Sequence, residues 1–232
     1  MYLIVGAGRT ARHFKHYFNL LQIPYLHWNR QEHTEQQLIS LFDQCDRALL
    51  LIKDSAIEEF YKSHFSNLIK PVIHFSGALH VPGIHALHPL MTFGPELRDQ
   101  KFYEDIGFVS FSDDRFENLL PGLKNPSVKV SAELQGLYHA QCVLSGNVTT
   151  LLWQEFFRFL SENKIPQSFG KAYLEEIIRN ALQSSALALT GPLARKDQKT
   201  ISKNLESLKS TPLEKIYLGA QELSEQLAGE KS

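Results

Sequence analysis

Four apolar residues, Tyr2–Val5, run straight into Gly6-Ala7-Gly8-Arg9-Thr10-Ala11, and Ala11, Phe14, Phe18 and Leu21 then recur at helical spacing. A GxGxxA segment between a strand and a helix meets a steric demand at each small residue. Gly6 permits the tight turn, Gly8 lets a ligand approach the backbone, and Ala11 allows close helix–sheet packing. The first-turn amides of such a helix lack intrahelical acceptors and favour an anion. Gly6, Ala7, Gly8, Arg9, Thr10 and Ala11 are therefore expected to hold the pyrophosphate of a dinucleotide.

The end of the second strand discriminates between dinucleotides. NAD sites usually carry an acid there to hold the ribose hydroxyls. Here the stretch is Trp28-Asn29-Arg30, with no acid before Glu32. A guanidinium at Arg30 matches a 2′-phosphate, and Arg9 adds a second positive charge. NADP is expected over NAD, with Asn29 and Arg30 at the cofactor. The other reading leaves Arg30 as a solvated loop residue.

Strand-like and helix-like segments alternate through this part of the chain. Pro24–Trp28, Ala48–Ile52, Pro71–Phe75, Ile84–Leu87 and Gly107–Phe111 read as further strands, with helical patterns over Gln36–Cys45 and from Asp54 to about Leu68. This alternation predicts an α/β fold with a Rossmann-type parallel sheet. After Pro126 the pattern becomes all-helical. Ala132–Leu160 reads as one long helix, or two with a break near Gly146, its middle apolar nearly all round and so expected to be buried on several sides. Tyr173–Leu189 carries Leu174, Ile177, Ile178, Ala181, Leu182 and Leu189 on one stripe, and Ile201, Leu205 and Leu208 mark another helix. Thr211-Pro212-Leu213-Glu214 has the form of a capping box opening a last helix. The expected domains are 1–127, binding NAD(P), and 128–232, a helical substrate and dimerisation domain.

Of the 232 residues, 43% are hydrophobic and 21% charged, and the net charge is −1. That balance offers no bulk attraction to nucleic acid or to an anionic membrane. Cys45 and Cys142 lie far apart in segments read as helical and largely buried, which suits a reducing compartment. With no secretory leader and no apolar run approaching a membrane span, the chain is expected in the cytoplasm.

Gly6–Ala11, Trp28-Asn29-Arg30 and the strand Ala48–Ile52 followed by Lys53-Asp54-Ser55-Ala56-Ile57 resemble the β-hydroxyacid dehydrogenase relatives. These include pyrroline-5-carboxylate reductase, ketopantoate reductase and 6-phosphogluconate dehydrogenase. Four further stretches resemble an uncharacterised Rossmann-like group of NADP-binding oxidoreductases with a helical C-terminal domain of unknown function. They are His74–Leu79, His88–Phe93, Tyr138-His139-Ala140 with Asn147, and Thr190–Asp197. The resemblance covers nearly the whole chain. It implies a 6-phosphogluconate-dehydrogenase-like C-terminal domain, Ile52 and Lys53 at the cofactor, Ser76-Gly77 as a substrate loop, and a homodimer formed through the C-terminal helices. Two positions depart from the pattern. Val143 stands where the dehydrogenases of known chemistry carry a catalytic lysine, so their lysine mechanism does not transfer. Lys196 stands where the group tends to have glycine.

Ser76 and Gly77 follow a strand at the expected carboxyl edge of the sheet, where Ser76 can bond a substrate carboxylate or carbonyl, or simply close a turn. His88 is a candidate proton donor for hydride transfer, or a hydrogen-bonded core histidine. His74, His80, His85 and His88 crowd into fifteen residues, but their spacing fits no regular ligand pattern, and no metal is expected. His139 and Asn147, eight apart on a helix, are offset by about 80°, and each is a candidate catalytic group or an interhelical hydrogen-bonding residue. Thr190-Gly191-Pro192 reads as a helix end with Gly191 left-handed. Arg195 can bind an anionic substrate, or pair with Asp197 as that residue caps the next helix.

The expected function is NADP-dependent hydride transfer to or from a small polar carbonyl, imine or alcohol, carboxylate-bearing ones included, with His139, Asn147, His88 and Ser76 as catalytic candidates and Ser76, Gly77 and Arg195 toward the substrate. The alternative is an NADP-binding sensor or interaction module without catalysis, which the absent lysine favours.

Overall fold

A computed structural model describes residues 1–184 and 188–229. The chain divides into two compact units, Met1–Thr149 and Thr150–Ser232. The expected border at 127/128 falls inside the first unit.

In the first unit, β1 (Tyr2–Val5), β2 (Tyr25–Trp28), β3 (Arg47–Leu50), β4 (Val72–His74), β5 (His85–Pro89), β6 (Phe108–Ser110) and β7 (Ser127–Lys129) join with α1 (Arg9–Leu20), α2 (Glu35–Asp43), α3 (Asp54–His64), α4 (Gln100–Glu104), α5 (Phe116–Leu119) and α6 (Gln135–Val143). Among the described residues these strands form one seven-stranded sheet in the order β2-β1-β3-β4-β5-β6-β7. Every residue of β1 is buried. Tyr2 and Ile4 enter one core with Ala11, Phe14, Tyr17 and Phe18 of α1. Leu3 and Val5 enter another with Leu38 and Phe42 of α2 and Ile57 of α3. Both sheet faces are covered, which is why the strands read as continuous apolar runs.

The register aligns the strand ends. Val5 pairs with both Trp28 and Leu50, Leu50 pairs with His74, and His74 pairs with Ala86. Because β1 to β5 are mutually parallel, their carboxyl ends share one edge.

The sheet is the expected Rossmann-type parallel one except at β6, which runs antiparallel to β5 with Pro89 opposite Phe108. Residues 90–107 leave and return at the same edge, where the Leu90 amide donates to the Gly107 carbonyl. That segment holds only the five-residue α4, too short for the crossover that a parallel strand needs.

A single turn of 3₁₀-helix, Ala132–Leu134, leads into α6, and the expected break near Gly146 is one turn of π-helix, Leu144–Val148, before α7 (Thr149–Glu162). The expectation of burial along this run does not hold within one chain: Leu137, Leu144 and Leu151 are all exposed.

The second unit continues through α8 (Gln167–Gln183), α9 (Gly191–Arg195), α10 (Gln198–Leu208) and α11 (Pro212–Gly229). A Cβ at Gly170 of α8 would lie 2.6 Å from a methyl group of Leu160 on α7, so glycine permits their close approach. The helix expected over Tyr173–Leu189 includes residues 185–187, which lie outside the described residues. Of its stripe, Leu174 is buried while Leu182 is 83% exposed. The Thr211 capping box takes another form: the Thr211 hydroxyl donates to the Leu208 carbonyl, and the Glu214 carboxylate accepts from the Ser210 amide. No helix among the described residues is long and apolar enough to cross a membrane.

Candidate functional site

The turn after β1 is built around one forced glycine. Gly6 has φ +129°, and a Cβ there would stand 2.2 Å from the Leu51 carbonyl oxygen. Gly8 differs. Its φ of −72° and ψ of 179° suit any residue, and a Cβ would meet nothing within 4 Å among the described residues. The chain's own packing therefore does not require glycine at position 8. The residue opens α1 with no side-chain cap and no acid in the first turn, so no side chain satisfies the first amides. Ala11 is fully buried beneath α1, which lets the helix lie on the sheet.

A cavity of about 640 Å³ opens along the shared carboxyl edge, within the range of small-molecule and cofactor pockets. Gly6–Thr10, Trp28–Gln31 and Leu50–Asp54 line it, together with Ala56, Phe60, Phe75, Ser76, His88, Pro89, Met91 and Phe93. Arg9, Arg30 and Lys53 line it and are exposed. The loop after β2 is shaped by Asn29, whose Oδ1 accepts from the Gln31 and Glu32 amides and whose Nδ2 donates to Glu32. Asn29 thus holds the turn that presents Arg30.

Ser76 and Asp54 meet at the end of β4. The Ser76 hydroxyl donates to an Asp54 carboxylate oxygen at 2.5 Å and accepts from the Ala78 and Leu79 amides. Its proton is committed to Asp54, so Ser76 orders the loop and the carboxylate. Beside it, the rings of His88 and His139 converge on Gly77. A Cβ there would lie 2.7 Å from His139 Cδ2 and 2.9 Å from His88 Cδ2. The Tyr138 hydroxyl stands 2.7 Å from His88 Nδ1. Burial, reinforced by the neighbouring His139, pulls the His88 imidazole down to about 4. Lowered in this way, the ring favours its neutral form at neutral pH, where it acts as a hydrogen-bonding group.

Residues 112–224 match the family described as a domain of unknown function, DUF2520. The DUF2520 match spans a little under half of the chain and takes in β7 and α6 as well as the second unit up to residue 224. No curated protein matches the sequence. Among solved structures, a candidate NADP oxidoreductase from Bacteroides fragilis is similar with a TM-score of 0.72 at 18% identity, over 97% of this chain and 96% of the other. A protein from Thermotoga maritima is similar with a TM-score of 0.71 at 16% identity, over 100% of this chain and 99% of the other. An imine reductase from Myxococcus stipitatus, solved with NADP+, is similar with a TM-score of 0.65 at 11% identity, over 99% and 94%. At such identities the likeness speaks for the fold: a Rossmann-type α/β half followed by helices.

The structure brings Gly6, Ala7, Gly8, Arg9, Thr10, Asn29, Arg30, Ile52, Lys53, Ser76 and His88 to one cavity, with Gly77 under the two imidazoles. Asn147 sits exposed in the π-helical turn and is not among the cavity's lining residues. Arg195 ends α9 in the second unit and is exposed. Asp197 caps α10 by accepting from the Thr200 amide and hydroxyl, bonds that hold its carboxyl below the usual carboxylate range. Among the described residues, no group of three His, Cys, Asp or Glu is placed to hold a metal ion. The close-spaced histidines part ways: His85 bonds Ser112, His88 bonds Tyr138, and His74 is fully buried. Sequence reasoning missed Asp54 and Tyr138 as site residues. Asp54 opens a helix just past a strand's carboxyl end, a position that could have flagged it. Tyr138 joins only through the α6 packing.

Proposed function

We propose that this chain is an NADP-dependent oxidoreductase that moves hydride to or from a small polar carbonyl, imine or alcohol, carboxylate-bearing substrates included. The carrying observation is the open cradle at Gly8, facing the uncapped start of α1 and flanked by Arg9, Arg30 and Lys53. These groups suit a diphosphate and a 2′-phosphate, and no acid holds the loop position where NAD sites place one. When bound, the nicotinamide supplies or accepts the hydride.

The chain's own residues position and protonate. His88, uncharged, offers a hydrogen bond to the reacting oxygen or nitrogen, as a neutral imidazole does in polarising a carbonyl. His139, the second imidazole over Gly77, moves the proton. Ser76 holds Asp54 and the loop in place. We also propose a homodimer through the C-terminal helices, which the exposed apolar side chains of the second unit support.

Trp28 lines the cavity, so its fluorescence reports occupancy. Titration is expected to show NADPH binding at least tenfold more tightly than NADH, about 1.4 kcal/mol. Failure of either nucleotide to saturate below about 1 mM would remove the reading. A silent binding module, favoured by Val143 at the lysine position, predicts tight NADPH binding with no NADPH oxidation across a panel of ketones and imines.

A further inference from the structure

We propose that Tyr138 is a positioning residue that fixes His88 as the Nε2–H tautomer and so turns an N–H toward the reacting atom. The inference deepens the oxidoreductase reading and rests on it for the identity of that atom.

The two faces of the contact are set by different parts of the first unit. His88 reaches the cavity from the end of β5. Gly77 lets its ring approach the loop closely on one side, since a Cβ would come within 2.9 Å of Cδ2. On the other side, Tyr138 Oη stands 2.7 Å from Nδ1. Tyr138 is itself held: its ring lies 5.5 Å from that of Phe111, against a cluster with Ala86 and Val109.

A neutral imidazole carries one N–H, and its other nitrogen accepts. The Tyr138 hydroxyl keeps its proton, because burial pushes it upward. A phenol is a stronger acid than a neutral imidazole N–H, and the imidazole nitrogen is a stronger base than the phenol oxygen, so across the 2.7 Å contact the phenol donates to His88 Nδ1. Nδ1 then accepts, and Nε2 carries the hydrogen. Among the described residues no other hydrogen bond to His88 competes with this one. The second ring nitrogen's role is set by the partner of the first, as in other functional histidines.

Nitrogen-15 NMR of histidine-labelled protein at pH 7, without nucleotide, reads the tautomer directly, with the His88 signals assigned by their loss in His88→Gln. Wild type is expected to show Nε2–H as the dominant form, at least tenfold over Nδ1–H. Tyr138→Phe is expected to collapse that ratio toward unity while NADPH affinity stays within twofold. A dominant Nδ1–H form in wild type, or an unchanged ratio in Tyr138→Phe, would overturn the proposal. The wild-type measurement needs no variant to fold. NADPH titration on the same sample judges the functional reading separately, since absent binding would remove the hydride role and leave the tautomer result standing.

Discussion

Gly6 and Gly8 belong to one motif, yet the chain's own packing requires glycine only at position 6. Gly6 meets the Leu51 carbonyl at a positive φ, whereas the space beyond Gly8 is open. Gly6→Ala is therefore expected to cost roughly 3 kcal/mol of stability through overpacking and backbone strain. Gly8→Ala is expected to change stability by less than about 1 kcal/mol but to weaken NADPH binding more than tenfold, because the new methyl group fills the cradle. Urea denaturation with nucleotide titration separates the two, and normal NADPH affinity in Gly8→Ala would count against the phosphate site. The motif was legible from spacing alone. Which glycine served the fold was not, because Leu51 arrives from another strand. Lys196, flagged as standing in for glycine, does take the left-handed conformation, at φ 54°.

At the scale of elements, β4 carries an unusual load. Val72 joins the core covered by α2 and α3, and His74, two residues on, points to the same face by strand alternation. His74 is fully buried, and among the described residues neither ring nitrogen finds a hydrogen-bond partner. Burial lowers its imidazole to about 4. A folded-state value below the unfolded one means that the unfolded chain gains the proton first as pH falls. Stability is therefore undiminished above about pH 6.5, declines as pH drops toward 4, and levels off below that. Between pH 7 and 4.5 this group is expected to remove roughly 2 kcal/mol. His74→Leu should lose that much less over the same interval in urea denaturation, and equal losses in both proteins would refute the assignment. Strand and helix positions were largely readable from hydrophobic period, because period reports which faces are apolar. The direction of β6 was not, since it depends on where residues 90–107 return.

For the whole molecule, the second unit leaves its apolar stripes open. Tyr173, Ile177 and Leu182 of α8 and Leu223 and Leu227 of α11 are all exposed, far more apolar surface than isolated side chains on a monomer would explain. A second copy of the chain would cover it. Sedimentation equilibrium at micromolar concentration is expected to give twice the chain mass. Leu182→Glu with Leu223→Glu should shift the protein to the monomer with NADPH affinity retained. A monomeric wild type would sink the dimer proposal.

By itself the sequence determined the local chemistry: the glycine turn after β1, the covered strands, the amphipathic helices and the missing acid after β2. Each of these follows from steric limits or periodicity that act within a few residues. The tertiary structure decided which distant groups share a small volume. It set His88 between Gly77 and Tyr138, committed the Ser76 proton to Asp54, and left Asn147 on an exposed turn. Those outcomes depend on how strands and helices from separate parts of the chain pack, and packing is a property of surfaces that no single segment contains.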